Sequence, residues 1–154
     1  MREAADKTGK SMTEAPRILI AGTGSGCGKT TLTCGILYGL ARQGYRPFAY
    51  KCGPDYIDSM FHSRVLGIET GNLDSFFTDD QTLRDLLAGE HAGNRGESNS
   101  HRCAGKDRGR RDIRVIEGVM GYYDGMGFSE KGSASEIAAL TETPVILTVN
   151  ARGM

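Results

Sequence analysis

The chain of 154 residues contains no tryptophan, no excess of either charge and no long apolar run. Its 19 basic and 19 acidic residues cancel, so no bulk electrostatic field favours nucleic acid or a membrane surface. No apolar run approaches the roughly 20 residues that a membrane span requires. The first sixteen residues are polar and charged and lack the apolar centre of a secretory signal. We therefore expect neither nucleic acid nor a membrane as a partner.

The four cysteines also lack a pattern, because no two of them stand in a C-x-x-C pair. Metal sites built from cysteine usually show such pairs. Together with the missing secretory signal, the scattered cysteines indicate reduced thiols and a cytoplasmic location.

Glycine, by contrast, is abundant, with 22 residues, and four of them stand in the run GTGSGCGKTT at 22–31. The run follows an apolar strand-like segment, 17–21, and leads into a helix-like one, 32–42. A glycine-rich loop in this strand–loop–helix setting turns its backbone N–H groups towards phosphate oxygens. Lys29 adds a full charge, and the hydroxyl of Thr30 stands where a phosphate-bound Mg²⁺ needs a ligand. The run predicts a nucleoside triphosphate site.

The loop departs at one position from the standard spacing G-x-x-x-x-G-K-[ST]. That spacing expects a glycine five residues before Gly28, where the chain has Thr23, and the nearest glycine is Gly22. A glycine-rich turn that binds nothing is the alternative, but Gly-Lys-Thr has little purely structural reason to occur here. The predicted nucleotide-binding residues are consecutive: Thr23, Gly24, Ser25, Gly26, Cys27, Gly28, Lys29, Thr30 and Thr31.

Strand-like and helix-like segments alternate along the chain, which predicts an α/β fold with a parallel sheet flanked by helices. The predicted strands are 17–21, 47–52, 113–117 and 144–149, and the predicted helices are 29–42, 59–66, 79–87 and 134–140.

Local signals refine two of these predictions. In the first helix, Leu32, Ile36 and Leu40 recur at helical spacing and predict a buried stripe, and Gly44 predicts the helix end. Two later helices begin with the spacing of a capping box, in the pairs Thr78 with Gln81 and Ser133 with Glu136.

Two segments stand apart from this pattern. Residues 1–16 are predicted to be a flexible tail, and 91–112 a polar surface insertion with almost no apolar residue. Residues 17–154 then form one domain. We expect this domain to be incomplete, because an open α/β sheet normally covers its last strand with a further helix and further strands.

Charged residues stand at the ends of two predicted strands, and ligands bind beyond the carboxyl ends of strands in open parallel sheets. Glu117 ends the third strand, where an acid is the usual second partner for Mg²⁺. Capping of a neighbouring helix is the alternative role. Lys51 ends the second strand, where it can meet a phosphate or a substrate carboxylate.

Asp55, Asp58 and Asp124 lie on glycine-containing loops that follow these strand ends. We expect the loops to converge on one crevice, where a shared divalent cation would explain the gathering of carboxylates that otherwise repel. Each aspartate alone could instead be a turn residue. His62, on the helix after Lys51, is expected at the surface or in a cap rather than in catalysis.

Four blocks together resemble the ATP-binding domain of the cobyrinic acid a,c-diamide synthase family. They are AGTGSGCGKTT at 21–31, KCGPDYID at 51–58, NLDSF at 72–76 and VIEGVMGYYDG at 115–125. They occur in the family's order and cover most of 17–154 apart from the polar insertion. The family's phosphate loop has the same departure at Thr23. The fold implied is the P-loop sheet shared with dethiobiotin synthase.

The resemblance implies an ATP- and Mg²⁺-dependent amide ligase of cobalamin biosynthesis. Such enzymes phosphorylate the c and a side-chain carboxylates of a corrin macrocycle, and ammonia from glutamine then displaces phosphate. By position, Lys29 and Thr30 would hold ATP and Mg²⁺, and Asp55 and Glu117 would be metal-binding or catalytic carboxylates. Asp124 would act in acyl-phosphate formation or substrate binding. Lys51 completes the predicted catalytic set.

The chain also departs from the family, whose members continue into a glutaminase domain with a nucleophilic cysteine. That portion is missing here, so a truncated, catalytically inactive nucleotide-binding fragment is the main alternative. The substrate could also be another tetrapyrrole, such as hydrogenobyrinic acid or nickel sirohydrochlorin, and a homodimer stays open. A partitioning-type ATPase is disfavoured because such proteins carry a second lysine five residues before the loop lysine, where this chain has Gly24.

Overall fold

A computed structural model of the protein describes residues 15–53, 62–88, 111–127 and 129–151. Its five strands form one parallel sheet in the order β3-β2-β4-β1-β5. The strands are β1 (Arg17–Gly22), β2 (Arg46–Cys52), β3 (Glu69–Leu73), β4 (Asp112–Glu117) and β5 (Val145–Thr148). The helices are α1 (Lys29–Arg42), α2 (62–66), α3 (Asp80–Ala88) and α4 (Ala134–Leu140). The predicted fold class, a P-loop parallel sheet flanked by helices, is confirmed.

The central strands are buried on both faces, as their continuous apolar sequences require. Successive residues of β1 point to opposite faces, so Leu19 packs with α3 and α4 while Ile20 packs with Leu37 of α1. In β4, Ile116 packs on the same side of the sheet as Leu19, and Val115 packs on the same side as Ile20. The two cores hold α1 on one side of the sheet and α3 and α4 on the other.

The structure corrects the predicted buried stripe of α1. Leu32 is 37% exposed, whereas Thr33 and Leu37 are fully buried. Ile36 and Leu40 are half-buried and pack against the core. The buried face of α1 therefore passes through Lys29, Thr33 and Leu37, which is rotated from the predicted stripe.

The predicted helix ends are confirmed for α1 and α4 and corrected for α3. Ser133 accepts the N–H of Glu136, as predicted for α4, and Gly44 has φ 85° just after α1. The cap of α3 is Asp79 rather than Thr78, because Asp79 Oδ1 accepts the N–H of Thr82 at 2.9 Å. The hydroxyl of Thr78 donates instead to the carbonyl of Asp74.

The sequence patterns did not predict β3. Two other expectations concern residues that lie mostly outside the described part of the chain. These are the tail at 1–16 and the polar insertion at 91–112, of which residues 15–16 and 111–112 are described. The last residue of the predicted insertion, Asp112, is the first residue of β4. None of the helices within the described segments is long and apolar enough to cross a membrane.

Candidate nucleotide-binding site

The glycine-rich loop connects β1 to α1 and is tied to neighbouring strand ends. The N–H of Thr23 donates to the carbonyl of Thr148 at 3.0 Å, and the N–H of Tyr122 donates to the carbonyl of Gly22 at 2.7 Å. Gly26 and Gly28 have φ of 74° and 87°, in the left-handed region that favours glycine. Gly28 is also the N-cap of α1. The loop is therefore anchored to the end of β5 and to the loop after β4, and it leads directly into the start of α1.

Lys29 folds back over this loop. Its side chain is largely buried, with the residue 8% exposed. The ammonium donates to the carbonyl of Gly24 at 2.8 Å and to the carbonyl of Met120 at 2.5 Å. A cation is thus held at the loop by neutral carbonyl oxygens, which an anion can replace.

Cys27 fills the inside of the loop. Its thiol donates to the carbonyl of Gly24 at 2.9 Å and lies 3.3 Å from the hydroxyl oxygen of Thr148. A Cβ on Gly22 would overlap the Cys27 sulfur, so glycine allows the Cys27 side chain its present position. The hydrogen bond with Thr148 lowers the pKa of the Cys27 thiol, and burial opposes it only in part.

Glu117 ends β4 directly beside the loop, with only 1% of the residue exposed. In the sheet register it lies opposite Lys51 of β2 and Ile20 of β1. Adjacent in-register residues of parallel strands point to the same face. The Lys51 ammonium accordingly lies 3.0 Å from Glu117 Oε1, and the hydroxyl of Thr30 donates to the same oxygen at 2.6 Å.

The second carboxylate oxygen of Glu117 lies 3.1 Å from Nε2 of His62. Burial alone would raise the pKa of Glu117, but the hydrogen bonds from His62 and Thr30 and the charge of Lys51 outweigh it and lower the pKa to about 2. Glu117 is therefore a buried, ionised carboxylate.

The expectation that His62 lies at the surface or in a cap is wrong. His62 is 2% exposed on α2, and its Nδ1 lies 3.6 Å from the sulfur of Cys34. His62 could have been found from its place shortly after the end of β2. The same reasoning selected Asp55 and Asp58. Thr148, also missed, ends a strand and could have been found by the same rule.

The remaining predicted residues fall into three groups. Asp124 closes the turn after β4, because its Oδ2 accepts the N–H of Gly121 at 2.8 Å, and a catalytic part for it stays a prediction. Asp55 and Asp58 lie outside the described residues. In the loop itself, Thr23, Ser25 and Thr31 are exposed. The structure therefore brings together Lys29, Thr30, Lys51 and Glu117, and adds His62 and Thr148.

Comparison with known families decides what kind of domain carries this loop. A family model described as the CobQ/CobB/MinD/ParA nucleotide binding domain matches residues 18–144. The chain belongs to this family. The family assigns nucleotide binding to the domain.

Curated relatives agree with the resemblance drawn from the four sequence blocks. The cobyrinate a,c-diamide synthase of Listeria monocytogenes serotype 4b (strain F2365) is 43% identical over 139 residues, covering 90% of this chain and 27% of the relative. That of Priestia megaterium is 40% identical, with coverage of 90% and 26%. That of Thermoplasma volcanium is 39% identical over 141 residues, with coverage of 92% and 27%. The chain spans about a quarter of the length of these relatives.

A solved structure of more distant sequence has the same fold. It is the signal recognition particle 54 kDa protein from Aeropyrum pernix, in complex with GDP, at 16% identity and a TM-score of 0.51. The match covers 88% of this chain and 29% of that one. The likeness shows a common sheet-and-helix architecture.

Proposed function

We propose that this chain is the ATP-binding part of a cobyrinate a,c-diamide synthase, an ATP-dependent amide ligase. The observation that carries the proposal is the contact between the Thr30 hydroxyl and Glu117 Oε1, 2.6 Å long, which joins the phosphate loop to a buried carboxylate. The cobyrinate a,c-diamide synthases with 37% to 43% identity support the choice of reaction.

The donor set at this contact fits Mg²⁺. A hydroxyl and an ionised carboxylate are hard oxygen ligands, and Mg²⁺ at nucleotides takes one or two carboxylates together with phosphate oxygens and water. Thr30 and Glu117 would hold the ion, with Asp55 as a further proposed ligand from the loop after β2. The metal would neutralise charge on the phosphates.

In the proposed reaction, an oxygen of a substrate side-chain carboxylate attacks the γ-phosphorus of ATP, and ADP leaves. Ammonia, free or released from glutamine by another portion of the enzyme, then adds to the acyl carbon and displaces phosphate, which leaves an amide. The first step depends on positioning and charge neutralisation more than on acid–base chemistry. Lys29 and the loop N–H groups would bind the phosphates.

The remaining residues have roles on the substrate side. Lys51 is buried beside Glu117 at the carboxyl end of β2, where it would stabilise negative charge on the reacting carboxylate. Asp124 would orient the loop after β4, or the substrate through it. The macrocycle is proposed to be cobyrinic acid, with hydrogenobyrinic acid and nickel sirohydrochlorin as the alternatives from the same chemical class.

Calorimetric titration of the 154-residue chain with MgATP tests the nucleotide site. Thr30→Val removes the hydroxyl with little change of shape, and we expect it to weaken MgATP binding by about tenfold or more. Thr70→Val, in the middle of β3, is the matched control and should bind as the parent chain does. Absence of binding at millimolar MgATP contradicts the proposal.

The ligase reaction needs a separate measurement. Formation of ADP on adding cobyrinic acid and ammonia to the MgATP-bound chain would identify a ligase. Nucleotide binding without ADP formation would favour the alternative of an inactive nucleotide-binding fragment. Replacing cobyrinic acid with hydrogenobyrinic acid or nickel sirohydrochlorin in the same assay compares the three macrocycles.

A further inference from the structure

His62 is a buried titratable group that the proposed reaction does not use. Its Nε2 lies 3.1 Å from Glu117 Oε2, while Thr30 and Lys51 both contact Oε1. The two oxygens of the carboxylate therefore have different partners. One faces the phosphate loop, and the other is held from the opposite side by an imidazole.

We propose that His62 is a positioning residue: it holds Glu117 Oε2 so that Oε1 stays directed at Thr30 and at a nucleotide-bound Mg²⁺. The inference rests on the proposed nucleotide and metal site. It extends that site to a residue that does not touch the nucleotide.

The geometry of α1 supports this role. Thr30 and Cys34 are four residues apart on α1, so their side chains lie on one face of the helix. Thr30 contacts Glu117, and the sulfur of Cys34 lies 3.6 Å from Nδ1 of His62. The Glu117–His62 pair thus lies along about one turn of α1, with a contact at each end. The imidazole ring is fixed on both nitrogens and cannot rotate freely.

The chemistry of a glutamate side chain explains why such a partner is needed. The terminal torsion of Glu is broad, so an oxygen at a strand end is not aimed by the backbone. Lys51 contacts Oε1 through an ammonium on a flexible stem, which is a weaker orienting group than a planar ring. A ring that binds Oε2 removes the remaining rotation. Partners that orient metal ligands in this way typically contribute 10- to 100-fold in metal affinity.

The test measures the affinity for ATP in the presence of Mg²⁺ and again in the presence of EDTA. The ratio of the two affinities is the metal-dependent gain. His62→Gln keeps a donor near the position of Nε2, and we expect it to retain the gain within about threefold. His62→Asn places its amide near Nδ1 and leaves Oε2 without this donor. We expect it to lose roughly tenfold or more of the gain, with metal-free affinity within about twofold. Cys34→Ser is the control on the other nitrogen and should retain the gain.

Three outcomes overturn the inference. Retention of the full gain by His62→Asn shows that Glu117 needs no such partner. Equal loss of metal-free and metal-dependent affinity in both His62 variants shows a merely structural role. A parent chain that binds ATP equally with Mg²⁺ and with EDTA removes the metal site and the inference with it, whereas the first two outcomes leave the proposed function standing.

A measurement on the unmodified chain covers the case in which His62→Asn does not fold. The ring ¹⁵N resonances of His62 should shift on addition of ADP with Mg²⁺ and stay in place with ADP and EDTA. Equal spectra under the two conditions overturn the inference, because Glu117 Oε2 would then be insensitive to the metal.

Discussion

The ammonium of Lys29 donates a hydrogen bond to the carbonyl oxygen of Met120 at 2.5 Å. Met120 has φ 43°, in the left-handed region that a non-glycine residue rarely adopts. The loop after β4 is therefore held in a strained turn by the cation that a nucleotide phosphate would attract. Phosphate binding and this contact compete for the same ammonium.

Replacing this cation should separate stability from binding. Lys29→Met removes the donor from the carbonyl oxygens of Gly24 and Met120, and the desolvation of the ammonium that it avoids offsets part of that loss. The unfolding free energy of the nucleotide-free chain should therefore fall by about 1 kcal/mol. The affinity for MgATP should fall at least tenfold, about 1.4 kcal/mol, and the nucleotide-induced rise in Tm should disappear. Thermal unfolding with and without MgATP measures both. Arg42→Met, at the exposed end of α1, should keep the full rise.

The close contact inside the phosphate loop gives a second prediction. Gly22→Ala places a methyl group against the sulfur of Cys27 and within 3.0 Å of the Thr148 hydroxyl oxygen, and should destabilise the chain by about 1–3 kcal/mol. Adding Cys27→Ala should recover part of that loss. Gly24→Ala is the matched control, since a Cβ there meets nothing within 4 Å. Urea unfolding of the variants measures the difference, and equal stability of Gly22→Ala and Gly24→Ala would contradict the loop geometry.

The lowered pKa of Glu117 predicts how stability depends on pH. The pKa is about 2 in the folded chain, against an ordinary 4.5, so the ionised carboxylate stabilises the fold above pH 4.5. That contribution, roughly 3 kcal/mol, is lost as the pH falls from 4.5 towards 2. Urea unfolding at pH 7, 5, 4 and 3 should show the loss.

Glu117→Gln should be less stable than the parent at pH 7, because Lys51 and His62 remain buried without the carboxylate charge. Its stability should also change less between pH 5 and 3. Glu69→Gln removes an exposed carboxylate paired with Arg46 at 3.1 Å and should follow the parent curve. Parallel curves for the parent and Glu117→Gln would show that Glu117 does not titrate as described.

A fourth prediction concerns the hydroxyl of Thr33, which is fully buried in α1 and has no hydrogen-bond partner in the described part of the chain. Thr33→Val replaces it with a methyl group and should stabilise the fold by about 1 kcal/mol. Thr141→Val is the matched comparison, because the Thr141 hydroxyl donates to the carbonyl of Ile137 at 2.6 Å. Thr141→Val should destabilise the fold by a similar amount. Thermal unfolding should therefore show a higher Tm for Thr33→Val and a lower Tm for Thr141→Val than for the parent chain.

Elements with local signals were predictable from sequence, and elements held by distant neighbours were not. The bounds of α1 and α4 follow from Gly44 and from Ser133 with Glu136, which act within a few residues of the helix ends. The strand β3 has the sequence ETGNL, in which only Leu73 is buried. Its pairing with β2, from Phe48 with Glu69 to Cys52 with Leu73, determines it. Such pairing leaves no periodic pattern in a short polar segment.

The same distinction applies to the site. The glycine spacing located the loop, and the rule that strand ends carry chemistry located Lys51 and Glu117. The contact between them could not be read from spacing, since it depends on the register of β2 against β4. His62 was missed because its approach to Glu117 depends on how α2 packs, which no local pattern encodes.

Cys27 and Cys52 are thiols in different environments. The Cys27 thiol is only partly covered and its pKa is lowered, whereas the buried Cys52 thiol has its pKa raised to about 12. Electrophiles and oxidants at neutral pH should therefore reach Cys27 well before Cys52. Because the Cys27 sulfur lies close to Gly22 and to the Thr148 hydroxyl, we expect modification of that sulfur to change the contacts of the phosphate loop.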